Sequence, residues 1–389
     1  MEDKTYEKRF SEHNIFWYIY TALIILIHLF LYLQIKKTLG PSITTYLWIP
    51  FSLFMTLLSY ITRRTKQIRS KRNRKWTDRA SVLWLSFVCI SAILFLLLNI
   101  EELIIMQEIR YGAKELYFIF SLSLAITAYG VHRANKIETI NITIFTEKLH
   151  TNKLRIVQLT DMHIGQWTGA VLLDTVVKKI NEAKPDIVVI TGDLVDGRGK
   201  GRDEDAKKLR EINAPCGIYA ITGNHDYYDD VEDSIEFMEK AKMKVLRTEV
   251  IDTCGILIAG ADDRDHLTAK TWGLTKSELL VLSKSKEQKN KFLLLLRHRP
   301  IVETGTKGHF DLQLSGHTHG GQLFPLWSSR HKIGGHSYGL KELKDGGYIY
   351  VSNGAGFVGP PLRFFAPPEI TVFDLVNTKQ QTGFLQKNK

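Results

Sequence analysis

The sequence predicts an all-α membrane region followed by an α/β domain with at least one further sheet. Three observations carry this. The first hundred residues hold long apolar stretches at 15–35, 44–62 and 80–100. Composition turns to a soluble pattern after His132. From there, short apolar runs alternate with amphipathic stretches in the order β-α-β-α-β before the pattern becomes β-rich.

A hydrocarbon core of about 30 Å needs about 20 helical residues, and each of the three stretches is long enough. The first carries no formal charge, and His28 is its one residue titrating near neutrality. It follows 14 mostly polar residues, lacks a small-residue cleavage site and runs at once into another span, so it does not read as a signal peptide. A fourth run, 116–131, is shorter and lies near the lower limit for crossing. The expected division is a membrane region at 1–135 and a soluble domain at 136–389.

Of the net charge of +11, the segment 63–79 supplies +8, with nine Lys/Arg against Asp78. Positive loops face the cytoplasm. With four spans, both the N-terminus and the soluble domain are then cytoplasmic; if 116–131 does not cross, the domain lies outside. The basic run could also hold anionic lipid headgroups. Residues from 133 onward sum to only about +4, without a basic stripe, so nucleic acid is not an expected partner. At 44% hydrophobic the chain can bury a sizeable core, which excludes wholesale disorder. Cys89, Cys216 and Cys254 are odd in number and lack metal-ligand spacing, so neither a disulfide framework nor a zinc knuckle is expected.

In the soluble part, strands are expected at 154–160, 186–191, 217–222, 255–260, 292–297, 311–315, 348–352 and 369–374, and helices at 169–183, 202–212 and 231–241. Polar residues cluster where strands stop: Asp161 and His163; Asp193 and Asp196; Asn224, His225 and Asp226; His298; His317 and His319. Open α/β sheets bind ligands beyond the carboxyl ends of their strands, so five such ends can converge on one site. Carboxylate, amide and imidazole without thiolate suit manganese, iron, zinc or magnesium-like ions rather than soft copper.

These blocks, in this order, resemble the calcineurin-like metallophosphoesterase superfamily, whose pattern is D-x-H, G-D-x-x-D, G-N-H-[DE], H and G-H-x-H. The likeness covers about 154–375, and the runs 316–322 and 353–370 resemble its membrane-associated bacterial branch. The resemblance implies a four-layer α-β-β-α sandwich with two divalent metal ions (manganese, iron or zinc) at its edge. Carried over, Asp161, His163 and His319 hold the first ion, Asn224, His298 and His317 the second, and Asp193 bridges both. A shared carboxylate offsets the repulsion of two cations about 3.5–4 Å apart, and the pair lowers the pKa of a bridging water. His225 becomes the general acid and Asp196 its orienting carboxylate. No Ser or Cys nucleophile is required, so no phospho-enzyme is expected.

Singly, each residue has a plainer reading. Asp161 and Asp193 could be turn residues, Asn224 a left-handed turn position, and His298, flanked by Arg297 and Arg299, a half-buried core histidine. Independent turns, however, would not yield seven donors of the right kinds in family order. Asp226 could be a ligand support or a helix N-cap and stands outside the expected site, as do His309, His331 and His336.

The expected function is therefore a membrane-anchored metal-dependent phosphodiesterase or pyrophosphatase acting on a lipid-linked or nucleotide-sugar phosphate. A tethered domain meets membrane lipid at high effective concentration, and some relatives in the resembling branch hydrolyse the pyrophosphate of UDP-diacylglucosamine. The segment 357–368 (FVGPPLRFFAPP) could form an acyl-chain groove with a phosphate-facing Arg363, or a packed loop closing the sheet. The alternatives are a general phosphomonoesterase or cyclic-nucleotide phosphodiesterase anchored for location only, and a non-catalytic sensor of a phosphorylated ligand.

Overall fold

The computed structural model describes residues 2–64, 71–106, 111–165, 170–196, 202–227, 230–263, 290–302, 308–322, 336–344, 346–359 and 361–379. The chain divides into two compact units, Met1–Tyr129 and Gly130–Lys389.

Four helices form the N-terminal part: α1 (Glu2–Leu39), α2 (Ile43–Arg64), α3 (Lys71–Ile105) and α4 (Ala113–Ala134). Among the described residues, Thr21–Leu39, Leu83–Ile105 and Ala113–Ala134 are long and apolar enough to cross a membrane, and Ile43–Leu58 of α2 is a further apolar stretch. The short run at 116–131 thus lies inside a helix of full length, because α4 continues through polar flanks at both ends. Leu31 and Ile35 of α1, Val88 and Phe95 of α3, and Leu116 and Ile119 of α4 make the core of this unit. His28 is absorbed by it. Its Nδ1 lies 2.8 Å from the Ile24 carbonyl, and Trp84 Nε1 donates to its Nε2 at 3.2 Å. A neutral ring protonated on Nδ1 satisfies both nitrogens. Residues 65–70 of the basic run, and His331, lie outside the described residues.

The second unit is built on two six-stranded sheets. In chain order its strands are β1 (Glu138–Thr146), β2 (Lys153–Leu159), β3 (Ile187–Thr191), β4 (Ile218–Ile221), β5 (Lys244–Val245), β6 (Glu249–Thr253), β7 (Ile256–Ala261), β8 (Phe292–Arg297), β9 (Leu312–Ser315), β10 (Gly339–Glu342), β11 (Tyr348–Val351) and β12 (Glu369–Asn377). The first sheet runs β1-β12-β2-β3-β4-β5 and the second β10-β11-β9-β8-β7-β6. Helices α5 (Ala170–Glu182), α6 (Asp203–Leu209) and α7 (Val231–Lys240) supply Val176, Leu209 and Phe237 to a core shared with Val188 and Ile190 of β3. The alternate residues Ile187 and Val189 face the other way and meet Ile258, Leu294 and Leu314 between the sheets. β3 is therefore buried at all five positions, which is why its sequence is a continuous apolar run. On the far side of the second sheet, Leu257, Leu293 and Leu295 gather under Phe310. Among the described residues three layers of the expected sandwich are present (helices, sheet, sheet), and no helix covers that far side.

The strands and the cysteines depart from the sequence reading. β1, β5, β6 and β10 were not anticipated. The alternation of Ile140, Ile142 and Ile144 with polar residues in β1 is a strand signal; β1 pairs in parallel with β12, the last strand. The second departure is covalent. Cys216, before β4, and Cys254, between β6 and β7, form a disulfide with a Cα–Cα distance of 6.1 Å, while Cys89 stays free. The odd cysteine count argued against a disulfide framework but says nothing about one bridge. The bridge exists because strands of different sheets bring together cysteines 38 residues apart.

Replacing Cys254 with Ser should lower the unfolding free energy of the second unit by about 2–4 kcal/mol relative to the oxidised protein. Chemical denaturation with and without reductant reads this directly, and coincident curves for variant and oxidised parent would show that the bridge carries no stability.

Candidate metal centre

Each expected site residue follows a strand, and the fold brings all nine together at one edge of the two sheets. Asp161 and His163 follow β2, and Asp193 and Asp196 follow β3. Asn224 and His225 follow β4, His298 follows β8, and His317 and His319 follow β9. Neighbouring loops lock this arrangement through the main chain: Asp161 N–H donates to the Gly192 carbonyl at 3.1 Å and His163 N–H to the Asp193 carbonyl at 3.0 Å.

The backbone is bent to aim these side chains. Asp161, His163, Asp193, His317 and His319 adopt φ of 52°, 48°, 52°, 70° and 49°. Non-glycine residues enter this left-handed region at a cost of order 1–3 kcal/mol each, and such strain concentrates at functional sites. Two glycines make the close approach possible. A Cβ at Gly223 would overlap the Asp193 carboxylate, and one at Gly316 would overlap that of Asp161.

Among the described residues three overlapping sets of donors lie close enough to hold an ion; two match the expected groups, and the third is His163, Asp193 and His225. In the first, Asp161, His163 and His319 place one ligand atom each within 4.8 Å of one another. His163 Nε2 lies 3.1 Å from His319 Nε2, and His319 Nε2 lies 3.4 Å from Asp161 Oδ1. The second group holds Asp193, His298 and His317. Here His298 Nε2 is 3.1 Å from His317 Nδ1 and 3.2 Å from Asn224 Oδ1. Asp193 Oδ2 stands between the groups, 3.7 Å from His163 Nε2 and 3.2 Å from His298 Nε2. Donor separations of this size are the edges of a coordination shell whose bonds are about 2.0–2.2 Å long. The residues present therefore fit divalent ions.

Electrostatics agree with that use. Burial holds His163 down at about 4 and His317 and His319 well below the ordinary imidazole range, which leaves these rings neutral with a lone pair to give. Burial raises Asp161 to about 6. At His298 burial also disfavours charge, but the Asp193 carboxylate outweighs it and raises the ring to about 10. Burial works against the charge of Asp193, but the attractions of His298, His225 and His163 together outweigh it and hold the carboxyl well below its ordinary range.

His225 stands at the rim. Its N–H donates to Asp193 Oδ1 at 2.8 Å, and its Nδ1 lies 2.9 Å from Asp196 Oδ1. Burial lowers its pKa, but the Asp196 hydrogen bond and the charges of Asp193 and Asp196 more than compensate, so the net shift is upward. The flanking Arg297 and Arg299 do not disturb His298. Arg297 Nη1 donates to the Ile301 carbonyl at 2.6 Å, and Arg299 pairs with Asp263 at 2.9 Å. His336 lies apart, bound to the Gly339 carbonyl at 2.8 Å.

Two supports lay outside the expected site. Asp226 accepts N–H groups from Asp193, Val195 and Gly223 at 3.0, 3.2 and 2.8 Å. It clamps two site loops together, and its place as fourth residue of the G-N-H-D block was the available signal. Thr160 donates to Asp161 Oδ2 at 2.7 Å. Arg363 does not face a phosphate. It is wholly buried, and of the two readings of 357–368 the packed loop holds at this residue.

The family described as calcineurin-like phosphoesterase matches residues 154–321. The chain is 38% identical over 256 residues to a metallophosphoesterase of Aquifex aeolicus (strain VF5), covering 64% of this chain and 96% of that protein. It is 36% identical over 271 residues to one of Campylobacter jejuni, covering 68% and 71%. With a Danio rerio protein named "Transmembrane protein with metallophosphoesterase domain" it shares 34% identity over 269 residues, covering 64% and 61%.

Asp226→Asn keeps the shape but offers three N–H groups one acceptor oxygen fewer. It should weaken Mn²⁺ binding about 10–100-fold, measurable by calorimetric titration; wild-type affinity would refute the clamp. Because His298 holds a proton at neutral pH in the metal-free site, metal loading should release protons and weaken as pH falls. Mn²⁺ titration in weak buffer with a pH electrode tests this, and an unchanged pH at full loading would contradict the protonation of His298.

Proposed function

The chain belongs to the calcineurin-like metallophosphoesterase family, and on that premise we propose that its site holds two divalent metal ions and cleaves a phosphodiester or pyrophosphate in a lipid-linked or nucleotide-sugar substrate. That it is a metal-dependent phosphoester hydrolase follows from the family. The observation that carries the finer reading is the meeting of two donor groups across Asp193, with His225 held beside them by Asp196.

When bound, the ions supply water activation and neutralise phosphoryl charge. Asp161, His163 and His319 would hold one, Asn224, His298 and His317 the other, with Asp193 between. The chain's own step is proton delivery. The Asp196 carboxylate fixes the His225 ring through Nδ1, which leaves Nε2 as the atom that gives a proton to the leaving oxygen. The upward shift of His225 favours the protonated ring that this role needs.

Three apolar helices and a transmembrane relative mark this as a membrane protein. A multi-pass anchor with the basic run at 63–79 on the cytoplasmic side, and the catalytic domain on that side too, is supported by loop charge and by the full length of α4. Tethering favours substrates that are themselves in the bilayer.

Detergent-purified protein with Mn²⁺ should hydrolyse a chromogenic phosphodiester and a UDP-linked acyl sugar faster than the matching monoester, and chelator should stop all three. Asp193→Asn should abolish turnover. His225→Ala should lower kcat by about 10²–10⁴-fold on alkoxide leaving groups, and far less on 4-nitrophenolate, which leaves without a proton. Preference for the monoester would overturn the substrate assignment, and equal losses on both leaving groups would overturn the acid role.

A further inference from the structure

Arg363 is the largest fully buried side chain among the described residues. Burying a guanidinium is costly unless its donors are met, and here they are met without a carboxylate. Nε donates to the Gly356 carbonyl at 3.1 Å, and Nη1 donates to the carbonyls of His319 and Ala366 at 3.3 and 3.0 Å. Nη2 donates to the Gly354 carbonyl at 3.3 Å and to the Gly356 carbonyl, and stands 3.1 Å from His319 Nδ1. One planar fork thus ties three loops: the G-H-T-H turn, the 353–356 turn and its own. The main chain of the same residue donates to the Gly130 carbonyl of α4 at 3.0 Å. A Cβ at Gly130 would come within 2.9 Å of Phe364 and 3.0 Å of Leu362, so this loop packs tightly against Gly130.

The asymmetry of these contacts is what matters. His319 belongs to the donor group of Asp161 and His163, and Arg363 holds both its carbonyl and its ring. Arg363 makes no hydrogen bond to Asn224, His298 or His317, the donors of the other group. The geometry points to Arg363 as a positioning residue that sets His319 and thereby tunes one of the two metal positions while leaving the other alone. Without it, four carbonyls lose their donor in a buried place, and the His319 loop is free to turn its imidazole away from Asp161 and His163.

This rests on the two-ion reading, so the test uses Mn²⁺ binding to the full chain in detergent rather than turnover. Wild type should take up two ions with the exchange-coupled spectrum of a close Mn pair by electron paramagnetic resonance. Arg363→Met should keep one ion at near wild-type affinity, weaken the other about 10–100-fold, and replace the coupled spectrum with that of isolated Mn²⁺. Arg363→Lys, which keeps the charge but loses the fork, should fall between them, and it decides the matter if Arg363→Met does not fold. A folded variant that loads both ions as wild type does, or loses both equally, overturns the assignment. A wild-type chain holding a single ion would sink the two-ion reading. The role of Arg363 would survive that result if the ion were weakened in Arg363→Met and fall with it otherwise.

Discussion

The Asp193 carboxylate is the constraint around which the second unit is arranged. It is buried, and a buried charge must be partnered or lost. Its partners come from three other segments: His298 beyond β8, His163 beyond β2 and the main-chain N–H of His225 beyond β4; Asp226, in the last of these, accepts the main-chain N–H of Asp193. Gly223 leaves the space that the carboxylate fills. The parallel strands β2, β3 and β4 are hydrogen-bonded neighbours, so their carboxyl ends open on one side, and the second sheet presents β8 and β9 to the same edge. Strained backbone at five donors is the cost of pointing short side chains inward from loops, and the packed sheets beneath supply the stability that sustains it.

Legibility followed the physics of each element. Strands buried on both faces, such as β3 and β8, announce themselves as continuous apolar runs, and the polar residues ending them mark a site whatever the helices do. The nine expected residues, which the fold brings together, stand out in the sequence because their chemistry sits in the side chain. Asp226 and Arg363 act instead through main-chain groups of other loops; the G-N-H-D block pointed to Asp226, whereas no spacing rule exposes Arg363. The pairing of β1 with β12 and the bridge between Cys216 and Cys254 depend on contacts between distant parts of the chain, which periodicity cannot report. The span boundaries were blurred for the opposite reason: helices continue past the apolar stretch that reveals them, as α3 does from Lys71 and α4 to Ala134.

The same accounting bears on how the ester is cleaved. A covalent route would need a hydroxyl or thiol activated by His225. Cys216 and Cys254 are consumed in the bridge, and Cys89 lies in α3 of the other unit. Thr160 is committed to the Asp161 carboxylate, and Thr222 donates to Asp262. The ring of His225 is oriented by Asp196. In the proposed function that carboxylate serves the acid role, in which the imidazolium is the working form, and attack is left to water. A site of this kind sets few demands on the organic part of its substrate. In the proposed function, selectivity comes from outside the nine residues, and an anchor confining the domain to a bilayer would supply it without any further contact.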